Sequence, residues 1–245
     1  MAIIFDIETG PLPDVELLRL IPEFDEAAFS PPGPFDPADV RCGNLKDAAK
    51  IADKIEQARA DHQKAIDNFP AELEFARTRH FETHKQEAAL RPEWGQVLAV
   101  GCYWVDEVVE VQMVEKSEHK IIRSFWEEFE YWANRKFIGF NCLAFDIPFL
   151  IRRSWILGVK VPETAKDKYN GIIDLAIVWA CGQFNRQFTS LDNIARYLGI
   201  PGKNGDAVDF ARLWNGTEEE RQQAIDYLAN DLRLIHEVAK RLQVI

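Results

Sequence analysis

The chain is expected to fold as an α/β protein: a mixed five-stranded sheet flanked by helices, with a helical insertion between the first and second strands. Three observations lead there. A short apolar run, AIIFDI, opens the chain and reads as a buried strand. From residue 96 onward, strand-like segments alternate with segments of helical period. Between these parts, from 11 to about 92, a proline-rich stretch and long helical patterns interrupt the alternation.

Taken in order, residues 2 to 7 form the first predicted strand and QVLAVGCYWV at 96 to 105 the second. VVEVQMVEK at 108 to 116 alternates apolar and polar residues, and Asp106-Glu107 between the two segments predicts a tight antiparallel hairpin. SEHKIIRSFWEEFEYWANR, from Ser117, sets Ile121, Ile122, Phe125, Phe129 and Trp132 on one helical face. KFIGFN at 136 to 141 predicts a short strand, followed by a helix from about Phe145 to Leu157 that Gly158 ends. GIIDL at 171 to 175 predicts a fifth strand, while the short apolar run AIVWACGQ leaves helix and strand open. In FTSLDNIARYLGI, Thr189 and Asp192 have capping-box spacing and Gly199 is a natural stop. The last helix starts at about Thr217, ahead of three glutamates suited to a helix N-terminus, and runs to about Leu242.

The interruption begins with SPPGPFDP at 30 to 37. Two helical patterns follow, LKDAAKIADKIEQARADHQKAIDNF and AELEFARTRHFETHKQEAAL, separated at Asn68 to Pro70, and they predict a helical hairpin. Residues 1–245 are therefore expected to form one domain interrupted by a mainly helical insertion at about 11–92. A packing appendage and a lid, substrate clamp or partner surface are equally open readings of the insertion.

At 245 residues and 47% hydrophobic content the chain can build a substantial core. Cys42, Cys102, Cys142 and Cys181 form no CxxC pair, so a zinc site or a disulfide framework is not suggested, and a reducing cytoplasm fits best. No leader-like segment opens the chain, and no apolar run approaches the roughly 20 residues of a membrane helix. A net charge of −11 argues against coating nucleic acid by charge neutralisation. It leaves room for an enzyme whose bound cations meet the phosphates.

The candidate chemistry starts in FDIET. Residues i and i+2 of a strand share a face, so Asp6 and Glu8 place two like charges side by side with no nearby Lys or Arg. Such a pair is costly unless something positive joins it, and a divalent metal is the expected partner. GFNCLAFDIPFL at 139 to 150 puts Asp146 at a helix start just beyond a strand, where open α/β sheets place their sites. IDYLANDLRLIHE at 225 to 237 carries Tyr227 and Asp231 four apart, on one helical face. Each residue alone has an ordinary reading as a cap, a core edge or a solvated charge.

As an ordered set, FDIET, GFNxxxFD and YxxxD resemble the 3′-to-5′ exonucleases of the DEDD superfamily, Tyr-containing branch, most similar to the proofreading exonuclease domain of family B DNA polymerases. The resemblance covers residues 1 to 10 and about 95 to 245, and it implies an RNase H-like fold. It further implies Asp6, Glu8, Asp146 and Asp231 as ligands of two divalent metal ions, Mg²⁺ or Mn²⁺, with Tyr227 as the water-positioning residue. The sister branch has His five positions before the last Asp, where this chain has Asp226; His236 lies on the other side of Asp231. Chemistry points the same way: two cations roughly 3.5 to 4 Å apart compensate charge on the attacking and leaving oxygens of a phosphodiester. All-oxygen ligands suit Mg²⁺ or Mn²⁺ better than zinc.

Asn141 and Phe145 match the family pattern as contacts to a single-stranded 3′ end, Phe145 by base stacking, with core packing as its rival role. Thr9 and Gly10 either offer backbone groups to the terminal nucleotide or simply end the strand. The expected activity is removal of nucleoside 5′-monophosphates from the 3′ end of single-stranded DNA, favoured over RNA, by an enzyme acting alone or beside a polymerase or repair partner in trans. The alternatives are the same chemistry on RNA, and a non-catalytic nucleic-acid-binding module. His80 and His84 lack the glutamate directly after the first His of the zinc-protease motif. GIPGKNGD at 199 to 206 has Asn204 where a phosphate loop has Ser or Thr, and reads as a connecting loop in which Lys203 can still meet a phosphate. Asp174, ending a strand, is read as a cap of the following turn.

Overall fold

The computed structural model describes residues 2–106, 109–113, 117–166, 171–183, 189–202 and 210–245. Lys203 and Asn204, Glu107 of the turn expected between the second and third strands, and residues 114–116 of the expected third strand lie outside the described residues. Two compact units are present: one comprises Met1–Leu20 with Glu87–Ile245, and the other Ile21–Gln86.

The first unit is built on five strands, β1 (Ala2–Pro11), β2 (Gly95–Trp104), β3 (Val109–Met113), β4 (Lys136–Gly139) and β5 (Ile172–Asp174), in the order β3-β2-β1-β4-β5. β2 and β3 pair antiparallel, as the local hairpin signal predicts; β1 also pairs antiparallel with β2, while β1, β4 and β5 run parallel. The parallel connections are made by α3 (Glu118–Tyr131) before β4 and α4 (Asp146–Leu157) and α5 (Glu163–Lys166) before β5. After β5 come α6 (Leu175–Trp179), α7 (Leu191–Tyr197), α8 (Phe210–Trp214) and α9 (Glu218–Arg241).

Strand alternation sorts β1 between two cores. Ile3, Phe5 and Ile7 join Ile121, Phe125, Phe129 and Phe149 of α3 and α4, whereas Ala2 and Ile4 join Leu232, Ile235 and Val238 of α9. α4 is locked by Arg153, which is buried and gives two hydrogen bonds to Glu118 at 2.8 and 2.7 Å and a third to the Pro92 carbonyl at 2.9 Å. Glu118 also accepts from the Val97 N–H at 2.8 Å, so this bidentate pair ties α3, α4 and the start of β2 together.

Several ends follow their local chemistry. Gly158 terminates α4 in the left-handed conformation, φ 72°. Thr217 and Glu220 form a reciprocal capping box on α9, with hydrogen bonds of 3.3 and 2.9 Å. The cap of α7 is displaced from the expected position: Ser190, not Thr189, accepts from the Asn193 N–H at 3.3 Å, so no Thr189–Asp192 box forms. Either hydroxyl suits an N-cap, and the sequence spacing did not separate two adjacent candidates.

The second unit departs most from expectation. In place of a helical hairpin there is one helix, α2 (Ala48–Ala88), 41 residues long, with Pro70 inside it. Proline removes one backbone bond and crowds the preceding turn, but a helix can absorb this as a bend, and no glycine or turn-forming pair accompanies Pro70 to reverse the chain. The unit also begins later than the expected insertion. α1 (Asp14–Leu20) belongs with the sheet, where Leu17 is fully buried. Within the second unit, His80 Nε2 lies 2.9 Å from the Pro22 carbonyl and His84 Nδ1 lies 2.8 Å from the His80 carbonyl, so both imidazoles serve local hydrogen bonding.

Candidate active site

Asp6 and Glu8 stand on β1, on the face that packs toward α9. Asp231, on α9, completes a group in which one carboxylate oxygen from each residue lies within 4.8 Å of the others. Asp231 is buried, while Asp6 and Glu8 are half-buried. What allows the helix to approach this part of the sheet is Gly101, the β2 residue paired with Asp6. A Cβ there would lie 2.6 Å from Leu232 Cδ1 and 3.1 Å from Leu228 Cγ, so a side chain would push α9 and its carboxylate away.

Asp146 lies outside this group of three but beside it. β4 pairs with β1 only as far as Ile4, which leaves the next stretch of that edge without a strand partner. There the Asp146 Oδ1 accepts the N–H of Ile7, the residue between the two acids, at 3.3 Å. Asp146 is the first residue of α4, in the loop zone past the carboxyl ends of the parallel strands. Burial pushes its carboxyl up to about 7; hydrogen bonds from its own N–H and that of Ile7 oppose the shift, and the Asp174 charge adds to it. Burial, then the charges of Asp174 and Asp146, likewise hold the neighbouring Cys142 thiol well above its usual range.

Tyr227, one turn before Asp231, is half-buried and packs against the apolar cluster that includes Leu98, Ala99 and Phe210. Asn141 adopts a left-handed backbone, φ 58°, which Asn tolerates better than most residues, and its carbonyl accepts from the Ala144 and Phe145 N–H groups. Phe145 immediately precedes α4, half-buried, with its ring 5.5 Å from that of Phe149. The Thr9 hydroxyl donates to the Ala89 carbonyl at 2.6 Å. Gly10 is buried at a point where the pairing slips by one residue between Glu8 and Thr9; a Cβ on it would lie 2.7 Å from Leu98 Cδ1. Its lack of a side chain is therefore a packing requirement. Asp226, where the sister branch has His, is exposed and accepts from the Gln222 side chain at 2.9 Å.

Residues 90–233 match the family described as a predicted 3′-5′ exonuclease related to the exonuclease domain of PolB. The chain belongs to that family. The matched segment of this PolB-related exonuclease family member carries Asp146, Tyr227 and Asp231, while Asp6 and Glu8 lie upstream of it and are brought in by β1. An uncharacterized protein of Methanocaldococcus jannaschii is 29% identical over 165 residues, which is 64% of this chain and 91% of that protein. The family B DNA polymerase from the hyperthermophilic archaeon Pyrobaculum calidifontis shares the fold at a TM-score of 0.53 and 16% identity, over 99% of this chain. This chain spans only 24% of that polymerase, and the likeness is one of fold.

Two contributors escaped the reading of the sequence. Gly101 carried a usable signal, since a glycine inside an otherwise apolar strand marks close approach of another element. The strand-end position of Asp174 predicts a cap of the turn after β5, and the residue does accept from the Ala176 N–H at 2.9 Å. It also accepts from Asn141 N at 2.8 Å and Leu143 N at 3.2 Å, contacts that no local motif announces.

Proposed function

We propose that this family member is a metal-dependent 3′-to-5′ exonuclease of RNase H-like fold that removes nucleoside 5′-monophosphates from the 3′ end of single-stranded DNA. The observation that supports this reading is the convergence of Asp6, Glu8 and Asp231 from two distant segments, with Asp146 one peptide group away. A bound cation offsets the repulsion among carboxylates gathered in a half-buried place. The donors fit the group: all are hard oxygens. A Mg²⁺-like ion with bonds of about 2.1 Å spans opposed oxygens about 4.2 Å apart, close to the scale of the cluster. Two such ions, when bound, supply the positive charge that stabilises the attacking and leaving oxygens and eases ionisation of water near neutral pH.

In this reading Asp6, Glu8, Asp146 and Asp231 hold the cations. Tyr227 orients the attacking water through its phenol oxygen, which is both donor and acceptor. Asn141 and Phe145, at the head of α4, position the 3′ nucleotide, Phe145 by stacking on its base. Thr9 is assigned to a backbone contact with that nucleotide, and Gly10 to the close packing behind it. The cations also account for phosphate chemistry in a chain whose net charge is −11. The reading includes action in the cytoplasm, alone or beside a polymerase or repair partner.

The test uses 5′-labelled single-stranded DNA and RNA with Mg²⁺, Mn²⁺ or chelator, and Asp146→Ala as control. A 3′-shortening DNA ladder that requires metal and Asp146 is the expected result; shortening of RNA alone reassigns the substrate. Intact strands under every metal would overturn the reading. Tyr227→Phe is expected to lower turnover on the order of 10²- to 10⁴-fold if the hydroxyl takes part in proton transfer.

A further inference from the structure

We propose that Asp174 is a positioning residue for the exonuclease site, holding the Asn141–Leu143 turn and thereby setting where Asp146 is presented; this rests on the function proposed above. Asp174 is buried at the end of β5, 33 residues from Asn141 in sequence. One carboxylate oxygen accepts both the Asn141 N–H, at 2.8 Å, and the Ala176 N–H, at 2.9 Å. The other accepts the Leu143 N–H at 3.2 Å. An N-cap needs only the Ala176 bond. The two further bonds reach across to the connection between β4 and α4, which has to reverse direction within a few residues.

That connection has few other ways to be held. Asn141 sits at φ 58°, a conformation of limited intrinsic stability for a residue with a side chain. The rest of the turn closes on itself: the Asn141 carbonyl accepts from Ala144 and Phe145, and the Cys142 carbonyl accepts from Ile147. Asp174 anchors this closed turn to the sheet. The turn leads directly into Asp146, whose carboxylate meets the Ile7 N–H between the two β1 acids. The chain of contacts therefore runs from β5 through the turn to the carboxylate beside Asp6 and Glu8, and the same anchor fixes Asn141 and Phe145.

Asp174→Ser separates the two roles. Serine is a good N-cap and keeps the Ala176 bond, but its shorter side chain cannot bridge to Asn141 and Leu143. Mn²⁺ binding to the full chain, followed by titration calorimetry without nucleic acid, is expected to weaken about 10- to 100-fold, the range typical of partners that orient metal ligands. The thermal midpoint should stay within a few degrees. Asp174→Asn retains the shared acceptor and places an amide against Leu143, so it is expected to fall between wild type and serine. A serine variant that binds Mn²⁺ and shortens DNA like wild type would overturn the proposal. Should serine fail to fold, Asp174→Asn decides: native midpoint with weakened Mn²⁺ binding supports the role, and unchanged binding refutes it. Hydrogen exchange on the wild-type chain is a further check, since an unprotected Leu143 amide would also refute it. Wild-type Mn²⁺ binding and DNA shortening report on the proposed function itself, so the two failures are distinguishable.

Discussion

The sheet unit and the Ile21–Gln86 unit are held together by different physics. In the sheet unit, strands and helices bury Phe5, Phe125, Phe137 and Phe149 almost completely. In the other unit even Ile21, its most buried apolar residue, keeps 9% exposure, and Phe75 remains 68% exposed on α2. Its long helix instead carries pairs at helical spacing, Arg59–Glu56, Lys64–Asp61 and Arg77–Glu74, with Gln57 and Gln63 bonded to Asp61 and Asp67. Pairs of this kind contribute about 0.2–0.5 kcal/mol each, against about 1.5–3 kcal/mol for one buried large apolar side chain. The comparison teaches where residue identity matters. The carboxylate site is mounted on the part of the chain whose positions are set by burial.

The contrast is most sharply tested by truncating one phenylalanine in each unit. Phe125→Ala should cost about 3–5 kcal/mol in urea unfolding, because it leaves a cavity against Phe5, Trp126 and Phe129. Phe75→Ala should change global stability by no more than about 0.5 kcal/mol. Equal costs would break the comparison.

A second test uses pH. The carboxyl of Asp146, held up to about 7 by burial, keeps its proton in the folded chain where the unfolded chain has lost it. Stability from this source is fully present below about pH 4 and is lost as pH rises through 7, on the order of 4 kcal/mol across the window. Urea midpoints measured with chelator at pH 5 and pH 8 should show the fall, and Asp146→Asn should flatten it. A divalent ion that binds the site should restore stability at pH 8.

Gly101→Val sharpens the comparison from inside the sheet. The added side chain meets Leu232 and Leu228, so overpacking should cost about 1–3 kcal/mol and move α9 away from Asp6. Mn²⁺ affinity should fall along with the thermal midpoint. The smallest effect belongs to the other unit. Lys64→Ala removes an exposed partner of Asp61, 3.9 Å away, and should shift the midpoint by no more than a degree or two.

Much of this molecule is legible in its residues alone. The strand at Ala2, the α3 face of Ile121, Ile122, Phe125 and Phe129, the Gly158 stop and the Thr217 box all rest on interactions within a few residues of one another. Pro70, where the local pattern predicts a break, is the complementary case. Whether a proline ends a helix or is carried inside it depends on what the flanking turns do next, and the local pattern was compatible with both. The cap at Ser190 slipped by one residue on the same kind of local near-tie.

The sequence alone determined which residues have the chemistry for a metal site, because residue types and the period-two and period-four spacings of Asp6 with Glu8 and Tyr227 with Asp231 are local properties. Only the tertiary structure decided that Asp231 meets Asp6 and Glu8, that Gly101 makes room for it, and that Asp174 reaches the turn before Asp146. Those contacts join segments tens to hundreds of residues apart. Their distances follow from helix-on-sheet packing and from where β4 stops pairing with β1, neither of which leaves a periodic mark on the chain.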